Sequence, residues 1–155
     1  MIDPTEPIRQ QVLHDINLYL GRPHLVLQAT IVIEDLMTTV HVVDDDASVR
    51  TAISHVLQGA GYDVALYKSA EQLLARLPEL SEAGCILLDV VMPRLDGPEL
   101  RDRLRKLGSA LPIVFMTGGD EPIEGAAKDL LLKPFSINRL IEAIENALRG
   151  AMQPR

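Results

Sequence analysis

From Val40 onward short β-type runs alternate with helical patterns, which restricts this part of the chain to a parallel sheet with helices on both faces. Residues 40–43 read as a first strand. After it, Val49, Ala52, Ile53, Val56, Leu57 and Ala60 recur at the three-and-four spacing of one helix face, and Gly61 closes that helix. A second strand fits residues 64–67. Ser69, with Gln72 three positions on, has the form of a capping box and opens a helix expected to run through Leu77 and stop at Pro78. Residues 85–88, 113–116 and 130–132 are nearly continuous apolar runs, which predicts strands buried on both faces. A third helix opens at Pro98, just after Gly97, and is expected to bury Leu100, Leu104 and Leu107. The last starts at a Ser136 cap and is expected to bury Ile137, Leu140, Ile141, Ile144 and Leu148.

Composition narrows the class further. With 155 residues, 47% hydrophobic and 24% charged, the chain has material for an ordinary packed domain. Its single Cys85 can form neither an internal disulfide nor a four-cysteine zinc site. Fifteen Lys and Arg against 22 Asp and Glu leave a net charge of −7, so direct nucleic-acid binding has no obvious electrostatic source. The longest apolar stretch, residues 25–33, is interrupted by Gln28 and Thr30 and is far short of the roughly 20 residues that span a bilayer. Asp3 and Glu6 stand where a secretory signal would carry basic residues, so a cytoplasmic address is expected, with no membrane contact. The regular pattern divides the chain into an N-terminal extension (1–38), a domain (39–150) and a tail (151–155). In the extension, Ile8, Val12, Leu13, Ile16 and Leu20 fit a short amphipathic helix, and residues 25–33 alternate like a strand. Two readings of it stand side by side: a misassigned start with Met37 as the true one, or a pairing segment that makes a homodimer.

The chemistry gathers at the strand ends. Asp44, Asp45 and Asp46 close the first strand and Asp89 the third, and in open α/β sheets the ligand crevice lies beyond the carboxyl ends of the strands. Carboxylates so clustered repel unless a cation neutralises them, and Mg²⁺ suits a site of a few carboxylates and several retained waters. Thr117 and Lys133 end two further strands. A hydroxyl donor, a Lys charge and a metal around one carboxylate are what phosphoryl transfer to an aspartate requires, because the transferring group spreads negative charge over its oxygens.

Four segments carry a resemblance: Val-Val-Asp-Asp-Asp (42–46), Leu-Leu-Asp-Val-Val-Met-Pro-Arg-Leu-Asp-Gly (87–97), Phe-Met-Thr-Gly (115–118) and Leu-Leu-Lys-Pro-Phe (131–135). In order and in position they resemble the receiver domain of two-component response regulators, over residues 39–150. The resemblance implies a flavodoxin-like, doubly wound, five-stranded parallel sheet of order 2-1-3-4-5. It implies Asp89 as phosphoacceptor, Mg²⁺ as cofactor held by Asp44, Asp45, Asp89 and the Val91 carbonyl, and Thr117 and Lys133 on the phosphoryl group. It also implies a cis bond before Pro134, a sensor histidine kinase or histidine phosphotransfer protein as donor, an unidentified downstream protein as receiver of the signal, and no enzymatic role beyond self-catalysed phosphotransfer and dephosphorylation.

Two departures stand out. The family's aromatic switch position is here Leu130. The segment 126–129 matches the stretch just before the fifth strand, leaving only 118–125 for a loop and the family's fourth helix, short by roughly six residues or about 9 Å of helix. That helix, between strands four and five, is therefore expected to be shortened or missing, with output rerouted or carried by 118–125. Val91 and Gly119 offer no side chain to position water, which predicts slow loss of the phosphoryl group. Plainer readings apply elsewhere: Asp46 as a helix cap, Asp96 and Gly97 as a turn and helix start, Cys85 as a buried apolar residue, His14, His24, His41 and His55 as non-ligands, and Arg101, Arg103, Arg105 and Lys106 as a wet helix face. Two rival functions are a haloacid-dehalogenase-like phosphatase with Asp44 as nucleophile and a receiver-like scaffold that needs no phosphorylation.

Overall fold

A computed structural model describes residues 38–80, 83–119, 123 and 130–151. Five parallel strands, β1 (Thr39–Val43), β2 (Asp63–Tyr67), β3 (Gly84–Asp89), β4 (Ile113–Thr117) and β5 (Leu130–Leu132), form one sheet of order β2-β1-β3-β4-β5. Among the described residues the helices are α1 (Ala47–Gly59), α2 (Ala70–Ala75), α3 (Gly97–Lys106) and α4 (Ile137–Ala151), with a 3₁₀ turn at Leu77–Glu79. The doubly wound sheet read from the sequence is thus present. The readings of the extension over 1–37, and of the shortened helix before β5, fall outside the described residues.

The continuous apolar runs have the predicted consequence in the sheet centre. Successive strand side chains point to opposite faces. Val40 and Val42, Cys85 and Leu87, and Val114 and Met116 pack with Ile53 and Leu57 of α1 and Leu140 and Ile144 of α4. Val43, Ile86, Leu88 and Phe115 pack on the other side with Leu73 of α2 and Leu100 and Leu104 of α3. Every residue of β3 is buried. Gly84, where β3 starts, is required by close approach: a Cβ there would lie 2.1 Å from the Thr39 carbonyl oxygen.

Several sequence expectations need correction. Leu132 is 59% exposed, because β5 is a three-residue strand at the sheet edge and only Leu131 is fully buried there. Leu107 and Ile137 are exposed as well. Leu107 is the C-cap of α3, past its last buried turn, and Ile137 is the first residue of α4. Ala52 and Ala60 of the α1 pattern are also exposed, Ala60 because it caps the helix and Ala52 because the buried stripe is narrower than the apolar one. The helix after β2 ends at Ala75, and Pro78 does not stop it: with no N–H to lose in a first turn, Pro78 sits inside the 3₁₀ turn that follows.

The turns into the helices are capped as their sequences suggest. Asp46 accepts hydrogen bonds from the Ser48 and Val49 N–H groups at the start of α1. Ser69 accepts from Gln72 N–H at α2, while the Gln72 side chain reaches one residue further back, to Lys68 N–H. Asp96 and Glu99 form a full capping box at α3. Ser136 accepts from Arg139 N–H at α4.

Candidate functional site

The sheet register brings the polar strand ends together. Val43 pairs with Leu88, so Asp44, one residue beyond β1, comes beside Asp89, the last residue of β3. Asp89 pairs with Met116 and Thr117 with Leu132, so Thr117 and then Lys133 extend the same row across β4 and β5. Order reverses between β1 and β3, where open α/β sheets leave a crevice at the carboxyl edge. The Asp44, Asp45 and Asp89 carboxylates each offer an oxygen, all within 4.8 Å of one another.

Backbone geometry fixes each group. Asp44 is fully buried; its Oδ1 accepts from Asp46 N–H at 2.9 Å, and its main-chain carbonyl accepts from the Arg50 guanidinium at 2.7 Å. Arg50 was not anticipated from the sequence. One signal was available: a cation in the first turn of a helix opposes the helix dipole and calls for some other partner. Asp89 accepts a hydrogen bond from Val91 N–H. Gly97, at the start of α3, backs onto Asp89, and a Cβ there would lie 2.8 Å from the Asp89 carbonyl oxygen. Lys133 reaches both acids, with Nζ 3.1 Å from Asp44 Oδ2 and 3.5 Å from Asp89 Oδ1. The bond between Lys133 and Pro134 is cis.

The electrostatics follow from this crowding. Burial, and then the Asp44 charge, push the Asp89 carboxyl above its ordinary value; Lys133 and the Val91 N–H oppose that rise without cancelling it. Burial pulls the Lys133 ammonium down, but its hydrogen bond to Asp44 and the charges of Asp89 and Asp44 outweigh burial and leave it raised. Among the described residues, Lys133 thus pairs with two of the three clustered acids, Asp44 and Asp89, and the donor set is all oxygen, which suits a hard divalent cation. Ligands of such a cation at 2.0–2.1 Å stand about 3–4 Å apart, so small side-chain rotations bring these oxygens into range.

Thr117 is buried at the end of β4, and its hydroxyl accepts from Gly119 N–H at 3.2 Å. Val91 is exposed beside Asp89. Leu130, at the departed aromatic position, is half-buried against the α2/α3 side of the core. Cys85 is wholly buried, and burial raises its thiol to about 12. His41, also buried, has Nδ1 3.1 Å from the Tyr67 hydroxyl, away from the acids, and His55 is exposed on α1. His14 and His24 lie outside the described residues.

The family profile described as the response regulator receiver domain matches residues 40–145. The transcriptional regulatory protein FixJ of Bradyrhizobium diazoefficiens is 44% identical over 124 residues, covering 74% of this chain and 60% of its own length. The tetrathionate response regulatory protein TtrR of Salmonella typhimurium is 42% identical over 118 residues, covering 72% and 57%. This chain therefore spans about three fifths of the length of those curated relatives. The crystal structure of FixJ-N superimposes with a TM-score of 0.67 at 34% identity, over 72% of this chain and 94% of that one. Among the described residues no helix is long and apolar enough to cross a membrane.

Proposed function

This chain belongs to the response regulator receiver family, and from that premise we propose that it is a phosphoacceptor signalling switch in which Asp89 takes a phosphoryl group from a phosphohistidine. The donor is a sensor histidine kinase or histidine phosphotransfer protein, the setting is the cytoplasm, and output runs through protein contacts. The observation that carries the reading is the convergence of Asp44, Asp45 and Asp89 with Lys133 at the order reversal of the sheet. Asp89 is the candidate nucleophile because it ends the central strand beside two acids and one cation. Asp44 is the poorer one: it is fully buried and tied to Asp46 N–H and Lys133, which argues against the phosphatase alternative.

The residues present fit Mg²⁺, and Asp44, Asp45 and Asp89, with the Val91 carbonyl, would hold it. When bound, the ion supplies positive charge against the phosphoryl oxygens. Lys133 Nζ, already between Asp44 and Asp89, pairs with a phosphoryl oxygen without a long excursion. Thr117 gives up its long hydrogen bond to the Gly119 carbonyl, 3.5 Å, to donate its hydroxyl to a phosphoryl oxygen. The Val91 N–H steadies the Asp89 carboxylate before attack. The chain's catalysis is limited to its own phosphorylation and to the hydrolysis that later passes the phosphoryl group from Asp89 to water. One of the similar proteins, FixJ, is a transcriptional regulatory protein, so regulation of transcription is a second output consistent with the family.

Incubation with acetyl phosphate and Mg²⁺, followed by mapping of the adduct, tests the assignment. Label is expected on Asp89 and absent in Asp89→Asn. Label retained by that variant would move the nucleophile to Asp44, and none in the parent protein would favour the scaffold reading.

A further inference from the structure

Arg50 makes one contact that the phosphoryl chemistry leaves unused. It is the fourth residue of α1, half-buried, and its guanidinium donates to the Asp44 main-chain carbonyl at 2.7 Å. Among the described residues it forms no ion pair, although three acids stand just before α1 at 44–46. Its charge is thus directed at a backbone oxygen, and a charge-assisted bond of that length holds its acceptor firmly.

The segment so held is the backbone on either side of Asp45. The Asp44 carbonyl and the Asp45 N–H belong to one planar peptide unit, the Asp45 carbonyl and the Asp46 N–H to the next. Arg50 holds the first unit by its carbonyl, and Asp44 Oδ1 holds the second by accepting from Asp46 N–H at 2.9 Å. The two backbone dihedrals of Asp45 are the rotations between those planes, so fixing both planes fixes the direction in which its side chain leaves the chain. Asp45 has little else to place it. Its side chain is exposed and accepts no hydrogen bond among the described residues, yet it offers an oxygen within 4.8 Å of oxygens from Asp44 and Asp89. Asp44 is different, because its N–H donates to the Tyr67 carbonyl and its carboxylate accepts from Lys133. We propose that Arg50 is a positioning residue of the cation site, which holds the Asp45 carboxylate beside those of Asp44 and Asp89 by way of the Asp44 carbonyl. The proposal rests on the Mg²⁺ part of the phosphoacceptor reading.

Charge alone predicts the opposite sign. Removing a cation from beside a cation site lowers repulsion, so an Arg50 that acted only through space would, when lost, tighten Mg²⁺ binding. Loss of positioning weakens it, and partners that orient metal ligands typically change affinity about 10–100-fold. Calorimetric Mg²⁺ titration of the folded protein compares the parent with Arg50→Met, which keeps a long aliphatic stem and no donor, and with Arg50→Lys, which keeps a charged donor. Arg50→Met is expected to raise the Kd about tenfold, and Arg50→Lys should fall between it and the parent. Arg50→Gln, too short to reach the carbonyl, takes the place of Arg50→Met if that variant does not fold. In an Asp45→Asn background, loss of Arg50 should change the Kd little, because two residues that act through one ligand are not additive. Labelling of Asp89 by acetyl phosphate should need about tenfold more Mg²⁺ for half its maximal rate, with the maximal rate unchanged. An unchanged or tightened Kd in Arg50→Met, an undiminished loss in the Asp45→Asn background, or a rate deficit that saturating Mg²⁺ does not repair would each overturn the proposal. Absence of label on Asp89 in a parent that binds Mg²⁺ would overturn the phosphoacceptor reading alone, and a parent that binds no Mg²⁺ would overturn both.

Discussion

Asp89 shows how a buried acid is held at the expense of the fold around it. Its carboxyl is raised by burial and by Asp44, so the folded protein holds that proton more tightly than the unfolded chain does. Ionised Asp89 therefore destabilises the fold. The penalty is full above the raised value and fades as pH falls through it toward the ordinary 3.8. Asp89→Asn is expected to raise the Tm of the metal-free protein at neutral pH by on the order of a few degrees. The gain should shrink in acid, and paired thermal melts at neutral and acid pH check it; an equal gain at both would show that charge is not the cause. Lys133 behaves oppositely, since its raised value adds stability that persists below about 10.5 and is lost only as pH rises past the folded value. Residue identity was readable at these positions because acids and a Lys that interrupt apolar runs are conspicuous. The Asp46 N–H on Asp44 was not, because a backbone donor leaves no mark in the sequence.

At the scale of elements, legibility followed burial and capping. The strands β1, β3 and β4 and the caps at Asp46, Ser69, Asp96 and Ser136 could be anticipated, since side-chain period and local hydrogen bonding act over a few residues. What escaped was the termination of burial: Leu107, Ile137 and Leu132 are apolar yet exposed, because whether an element's end is covered depends on neighbours distant in sequence. The positive φ of +69 at Arg94, in the turn that carries Leu95 into the core, escaped for a related reason, as no local signal favours Arg where φ is positive. The α3 capping box lends itself to test. Asp96→Ala removes the acceptor for Glu99 N–H and is expected to cost about 1 kcal/mol, read as a shift in the urea midpoint with unchanged slope. Because Gly97 beside it abuts the Asp89 carbonyl, the same variant should slow labelling of Asp89.

For the molecule as a whole, the net charge of −7 changes meaning once the fold is known. Part of that acidity is concentrated at one sheet edge, where two apolar layers of side chains support it from either face. Mg²⁺ should therefore act as a stabiliser of the folded state, adding about 2.7 kcal/mol at a hundredfold excess over its Kd. Asp45→Asn should abolish most of that increment and change the metal-free Tm little, since Asp45 is exposed; calorimetric melts with and without Mg²⁺ measure both. An undiminished increment would remove Asp45 from the ion's ligands.

Cys85 provides an unplanned instrument. The chain contains no Trp, which deprives unfolding studies of their usual fluorophore, but it has this one thiol, sealed in the central strand and held almost entirely protonated. An alkylating reagent can reach it only when the sheet itself opens, so the rate of mass gain counts opening events rather than local fraying. Ligands, phosphoryl mimics and variants could then be ranked by how long they keep a single sulfur silent, with no label introduced.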